Sequence, residues 1–180
     1  ATYGGIPAAD PNPNACASVE EVLNEVGVEV PVVNNPGCPP HPDWIIGTLA
    51  SVILAGMPGP EEIDAAGRPK TFFGETIHEN CPRRPDFDAG KFAKEHGDAG
   101  CLYELGCKGP FTHADCAIRS RNNGVSWCIE AGSPCLGCAE PGFPDIGPGL
   151  YEKIDMESLP HIERDEQTGK LVFKVPSATE

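Results

Sequence analysis

The sequence predicts two unlike parts: an α/β segment over roughly the first third, then a loop-rich, mainly α or irregular region organised round bound metal. Three observations predict this. Helical and β-branched patterns alternate up to about residue 57 and then fade. Twenty-one Gly and twenty Pro among 180 residues favour turns over a large apolar core, and hydrophobic content is 39%. His78 and seven Cys form a ligand-like pattern that ends at Cys138, and ligand binding there can add folding free energy that a small core does not supply.

Residues 1–15 are rich in Gly, Pro and Asn and read as a loop. Ser18, with Glu21 three positions on, makes a capping box. Val19, Val22, Leu23 and Val26 then recur at helical spacing, and Gly27 is placed to stop the helix. Cys16, just before it, reads as a thiol outside any site. Residues 28–33 are a β-branched run broken by Pro31, which predicts an edge strand. The loop after it carries Cys38, at the carboxyl end of that strand, where open α/β sheets place their sites. Pro39, Pro40 and Pro42 stiffen this loop, and His41 between them reads as a hydrogen-bonded structural residue. Asp43 is expected to cap a helix reaching Met57. Its Trp44, Ile45, Leu49, Val52, Ile53 and Leu54 lie nearly all round, so it should be buried in a core or against a partner.

Pro58-Gly59-Pro60 ends that helix, and residues 61–66 read as a helical turn. The second part opens at Arg68, giving boundaries of 1–67, 68–151 and a tail of 152–180. Residues 86–95 have helical character, 97–109 are turn-rich, Asn122-Asn123-Gly124 is a tight turn and 141–149 are irregular. In the tail, Leu171-Val172-Phe173-Lys174-Val175 reads as a strand paired with one that includes Ile162, across a turn at 165–170.

The chemistry is concentrated in His78-x2-Cys81, Cys101-x5-Cys107, Cys116, Cys128 and Cys135-x2-Cys138. Thiolates are soft, anionic ligands for iron–sulfur clusters or zinc, and His is the usual nitrogen donor. Eight donors suffice for two complete four-ligand sites. Disulfides fit poorly, because nine Cys is an odd number and their density is low for a disulfide scaffold. Buried free thiols would explain one or two positions rather than eight. Structural zinc remains open: Cys135-x2-Cys138 is half of a zinc knuckle, although the other spacings do not repeat the paired C-x2-C plan. A standalone ferredoxin-like carrier is a third reading.

Several runs together resemble the small, electron-transferring subunit of nickel–iron hydrogenases. They are Gly37-Cys38-Pro39-Pro40-His41-Pro42, Arg68-Pro69-Lys70, Phe72-Phe73-Gly74-Glu75 and His78-Glu79-Asn80-Cys81-Pro82-Arg83-Arg84. Cys101-Leu102-Tyr103-Glu104-Leu105-Gly106-Cys107-Lys108-Gly109-Pro110 and the run from Gly132 through Cys135 and Cys138 to Phe143 complete the set. The resemblance covers residues 1–151. It implies that residues 1–67 are the C-terminal part of a flavodoxin-like domain, followed by an iron–sulfur cluster-binding domain. It further implies three 4Fe–4S clusters in a line. His78, Cys81, Cys101 and Cys107 match the distal ligands, Cys116, Cys135 and Cys138 the medial ones, and Cys38 one proximal ligand.

Two departures from the family pattern matter. Where the standard small subunit has Pro after the Trp of its Asn-Trp-Pro run, this chain has Ser126-Trp127-Cys128. Cys128 offers the medial site a fourth thiolate, and so a fourth iron, as in the nickel–iron–selenium branch. The other proximal ligands of the family lie upstream of its Ala-Thr-Tyr-Gly-Gly run, with which this sequence begins. The resemblance therefore implies an N-terminal part beyond this sequence.

The implied partners are a large subunit that holds the nickel–iron(–selenium) centre and a multihaem c-type cytochrome. The implied location is the periplasm, soluble or peripherally associated with a membrane. A net charge of −14 argues against nucleic acid or an anionic membrane surface and suits a basic electron carrier. The apolar stretch from Trp44 to Met57 is about 14 residues, short of the roughly 20 a transmembrane helix needs. No nucleophile–base set or phosphate loop is present.

Overall fold

The computed structural model describes residues 11–144, 146, 149–154, 161–164 and 171–174. Helix α1, Val19–Glu25, starts as expected. Ser18 Oγ accepts the Glu21 N–H and the Glu21 carboxylate accepts the Ser18 N–H, at 3.2 and 2.8 Å. Gly27 follows in the left-handed region at φ 72° and ends it.

The expected strand at 28–33 does not form. Among the described residues no strand lies beside it, Pro31 removes one donor, and the run continues as extended, irregular backbone. Asn34 instead ties the segment to the end of the first part: its N–H donates to Gly67 O at 2.8 Å and its side-chain amide to Ala66 O at 2.8 Å.

Helix α2 spans Pro42–Ala55, and its cap is His41 rather than Asp43. His41 Nδ1 accepts the Asp43 N–H at 3.1 Å, which leaves Asp43 in the first turn, where a negative charge suits the helix dipole. His41 Nε2 meets Ser120 O at 3.0 Å, so His41 is the structural residue its flanking prolines suggested. Within this chain α2 buries one face only. Trp44 is fully enclosed, but Ile46, Leu49, Ile53 and Leu54 face outward, the last at 86% exposure. This chain covers one stripe of an all-apolar helix and leaves the other open.

The helical turn expected at 61–66 is a set of non-helical turns closed by an Ile63–Pro69 bridge. Helix α3, Lys70–Phe73, then lays Phe72 across Gly47 of α2. A Cβ on Gly47 would come within 2.7 Å of that ring, so the glycine permits the approach. Helix α4 is shorter than predicted, Arg84–Asp88. It stops because Gly90 turns left-handed at φ 66° and Phe92 bridges Cys101. Two 3-10 turns, Tyr103–Leu105 and Gly109–Phe111, and the single-turn helix α5, Cys116–Arg119, make up the ligand-bearing region. Asn122, Asn123 and Gly124 all have positive φ in the predicted turn, closed by an Arg121–Ser126 bridge. Strands β1, His161–Arg164, and β2, Leu171–Lys174, pair antiparallel with Ile162 opposite Phe173. This is the predicted hairpin; its connection at 165–170 lies outside the described residues.

The main core joins Trp44 of α2 to Phe73, Ile77, Leu102, Trp127 and Ile129, and takes in Cys107, Cys116 and Cys135. Trp127 is thus a core aromatic. A smaller core holds Phe111, Phe143, Ile146 and Ile154. The segment 149–154 straps over it and approaches Gly106 so closely that a Cβ there would strike the Tyr151–Glu152 backbone. Among the described residues no helix is long and apolar enough to cross a membrane.

Candidate metal centres

His78, Cys81, Cys101 and Cys107 line one small pocket, together with Arg83, Arg84, Leu102, Tyr103, Pro110 and Ile129. The chain reaches this arrangement by short-range turns. The Cys81 N–H donates to His78 O, while the Cys107 N–H turns back to Leu102 O. Phe87 stands edge-on to the His78 ring at 4.7 Å and to Tyr103 at 5.4 Å, giving the outer wall an aromatic lining. Burial, helped by the charge of Arg84, lowers the His78 pKa and so favours the neutral, lone-pair-bearing ring.

The sulfurs sit where backbone N–H groups converge. Gly109 N–H and Cys135 N–H both donate to Cys107 Sγ at 3.4 Å. Backbone N–H groups of Arg83 and Arg84 serve Cys81, and that of Tyr103 serves Cys101. Even so, burial pushes the Cys107 thiol up to about 11. A free Cys107 is therefore neutral near pH 7, and only a bound cation would make it the anion those donors are set to receive.

Cys116, Cys128 and Cys138 form a second group: Cys116 feels the charge of Cys138 and Cys128, and Cys138 that of Cys128 and Cys38. Burial pushes Cys116 to about 11 and raises Cys138. Cys135, enclosed in the core, is raised well above the usual thiol range by burial, with the neighbouring Cys107 as the next cause. Its sulfur lies 3.6 Å from Thr112 Oγ1. Cys128 is exposed and marks the outer corner of the group. The Cys38 loop is brought to the same place, with the Cys38 N–H directed at the Cys138 sulfur. Cys16 is elsewhere, half-buried, with its backbone bonded to Asn12.

Among the described residues no three His, Cys, Asp or Glu side chains converge on a point as a single ion requires. The four donors of the first site stand round a volume instead. A polynuclear cluster, whose irons each take one protein ligand, fits that arrangement and this soft donor set.

Basic residues divide into two kinds. Arg84 is solvated, and Arg83 braces Asp98 O and Gly100 O at 2.9 and 2.8 Å. Lys108 is buried at 1% exposure, and its ammonium donates to Gly106, Gly149, Leu150 and Glu152 carbonyls at 3.3, 2.7, 3.2 and 3.3 Å. Beside the second group, buried Glu140 takes Arg68 Nη1 at 2.8 Å and the His113 N–H at 2.6 Å. Burial works to raise its pKa, but His113 and Arg68 overcome that and lower it. Sequence reasoning missed Thr112 and Arg121, which stand against the sulfurs. The available signal for Arg121 was its place across the Asn122-Asn123-Gly124 turn from Cys128.

Sulfur-rich sites held on turns fit a chain that binds iron–sulfur clusters. Residues 73–150 match the family described as the C-terminal part of the NiFe/NiFeSe hydrogenase small subunit, and residues 1–52 match NADH ubiquinone oxidoreductase, 20 Kd subunit. The periplasmic [NiFeSe] hydrogenase small subunit of Desulfomicrobium baculatum is 50% identical over 147 residues, covering 79% of this chain and 46% of that one. The periplasmic [NiFe] hydrogenase small subunit of Solidesulfovibrio fructosivorans is 45% identical over 156 residues, covering 84% and 47%. The solved structure of a reduced, active Ni–Fe–Se hydrogenase from Desulfomicrobium baculatum superposes with a TM-score of 0.78 at 48% identity, over 85% of this chain and 57% of that one. The chain belongs to the small-subunit family of nickel–iron and nickel–iron–selenium hydrogenases. It spans 46% and 47% of the length of these two curated relatives.

Proposed function

We propose that this chain is the electron-transfer subunit of a nickel–iron(–selenium) hydrogenase, an oxidoreductase acting on H2 whose nickel–iron centre lies in a separate large subunit. The observation that carries the reading is the convergence of backbone N–H groups on buried sulfurs round a shared cavity, in a chain of this family. His78, Cys81, Cys101 and Cys107 hold a distal 4Fe–4S cluster. Cys116, Cys128, Cys135 and Cys138 hold a medial one, and Cys38 supplies one ligand of a proximal one. When bound, the clusters supply one-electron oxidation and reduction.

The chain's own residues set the conditions for that chemistry. Leu102, Trp127 and Ile129 exclude water between the two groups, and Phe87 and Tyr103 do so on the outer side. The N–H donors stabilise negative charge on sulfur and so favour reduction. His78 replaces an anionic ligand with a neutral one, which makes the distal site the easier to reduce and suits an exit point. Residues 1–67 are the C-terminal part of a flavodoxin-like domain, 68–151 the medial and distal cluster domain, and 152–180 a tail. The electron partner is a multihaem c-type cytochrome in the periplasm. The word periplasmic in the relatives' names supports that location, and the net charge of −14 suits a basic carrier.

Metal analysis tests the reading. Purified protein should contain about four iron and four acid-labile sulfide per complete site, and a broad brown absorption that bleaches on reduction. A colourless protein with two zinc and no sulfide would overturn it.

A further inference from the structure

The seam between the Cys38 loop and the Cys116 helix carries a cation that no carboxylate answers among the described residues. Three contacts dock the two segments: His41 to Ser120 O at 3.0 Å, Arg119 Nη1 to Asp43 at 3.3 Å, and Arg121 Nη1 to Pro39 O at 2.8 Å. The arginines of this region differ in what they face. Arg68 is held by Asp64 and Glu140, and Arg119 by Asp115 and Asp43. The partners of Arg121 among the described residues are a carbonyl oxygen, the Cys116 sulfur at 3.9 Å from Nη2, and the Trp44 ring with its centroid 5.4 Å away. The hairpin holds Arg121 there, since its N–H donates to Ser126 O at 2.7 Å and the Ser126 N–H returns to Arg121 O at 3.3 Å. The same charge also bears on Cys138, on the other side of the medial group.

We propose that Arg121 is a positioning residue that sets the reduction potential of the medial centre and fixes the Cys38 loop against it. The inference rests on the cluster reading above. Reduction adds one electron, and so one negative charge, to the medial centre, with no bond broken and no proton required. A guanidinium at a ligand sulfur, beside the enclosed Trp44 ring, stabilises that added charge. The distal site lies on the far side of the Cys107–Cys135 contact and should feel Arg121 far less.

The test is an EPR-monitored titration with dithionite, on the chain purified in its native complex, comparing wild type, Arg121→Gln and Arg121→Lys. Arg121→Gln should lower the medial reduced-to-oxidised ratio at a fixed potential about tenfold, a shift near 59 mV for a one-electron couple. The distal ratio should stay within threefold. Arg121→Lys should keep the medial ratio within threefold of wild type, and it carries the test if Arg121→Gln loses the centre. Three results would overturn the proposal: an unmoved medial ratio in Arg121→Gln, equal shifts at both centres, or a fall with Lys as large as with Gln. Wild-type protein that binds zinc without sulfide would instead overturn the cluster reading itself, so the two failures are distinguishable.

Discussion

Cys128→Ala should yield protein with one iron fewer per chain and otherwise intact sulfide content. Cys116, Cys135 and Cys138 are enclosed or largely so, whereas Cys128 is exposed at the outer corner of the group. Loss of an inner thiolate would undo the site. Loss of the outer one leaves three ligands in place and exposes a single iron to water, from which it dissociates. The remaining three-iron centre should be easier to reduce, because cluster type sets much of the potential. Iron counting and low-temperature EPR of the oxidised protein check this together. An unchanged iron count, with no new oxidised-state signal, would remove Cys128 from the ligand set.

Lys108→Met should cost about 3 kcal/mol of stability and loosen the strap at 149–154. The ammonium joins the Gly106 carbonyl to those of Gly149, Leu150 and Glu152, and Met offers none of them a donor. A buried carbonyl left without a partner costs roughly 1–3 kcal/mol, and losses sharing one donor do not simply add. Relief from burying the charge offsets part of the total, since burial already pulls the Lys108 pKa below the usual value. The strap keeps its other ties, the Tyr103 hydroxyl donating to Ile154 O at 2.5 Å and Lys153 Nζ to Glu104 Oε1 at 2.7 Å, so it should open without detaching. Urea unfolding together with amide exchange of 149–154 measures both effects. A loss below about 1 kcal/mol, with unchanged exchange, would show that the four carbonyls find other donors.

What is legible in the sequence is local or compositional. The Ser18–Glu21 box, the Asn122-Asn123-Gly124 turn and the tail hairpin each depend on residues within a few positions, and each forms. The donors are legible because thiols at such spacings have few bland explanations. The 28–33 strand fails because a strand is defined by its neighbour, which local pattern does not contain. His41, two residues before Asp43, takes the cap because its ring nitrogen reaches the Asp43 N–H, a role that local pattern assigns more readily to a carboxylate. The outward face of α2 shows the limit of a hydrophobic pattern: it states that a surface wants covering, not that this chain covers it. Thr112 is illegible because it meets the Cys135 sulfur through tertiary convergence, whereas the turn beside Arg121 marks a place near the sulfurs without showing that the side chain faces Cys116.

The Cys107–Cys135 contact also bears on how such a protein is assembled. The Cys135 N–H points at the Cys107 sulfur, and the Cys135 carbonyl accepts the Lys108 N–H at 2.7 Å. Two ligands assigned to different centres are thus tied by one pair of hydrogen bonds. On the proposed cluster reading, filling the distal pocket would hold Cys107 in the position that orients Cys135 and so lower the entropy cost of organising the medial pocket, and the reverse would hold equally. Maturation should then be close to all-or-none. Native mass spectrometry of under-loaded protein should show empty and fully loaded chains in excess over singly loaded ones. A statistical distribution would mean that the two pockets fill independently.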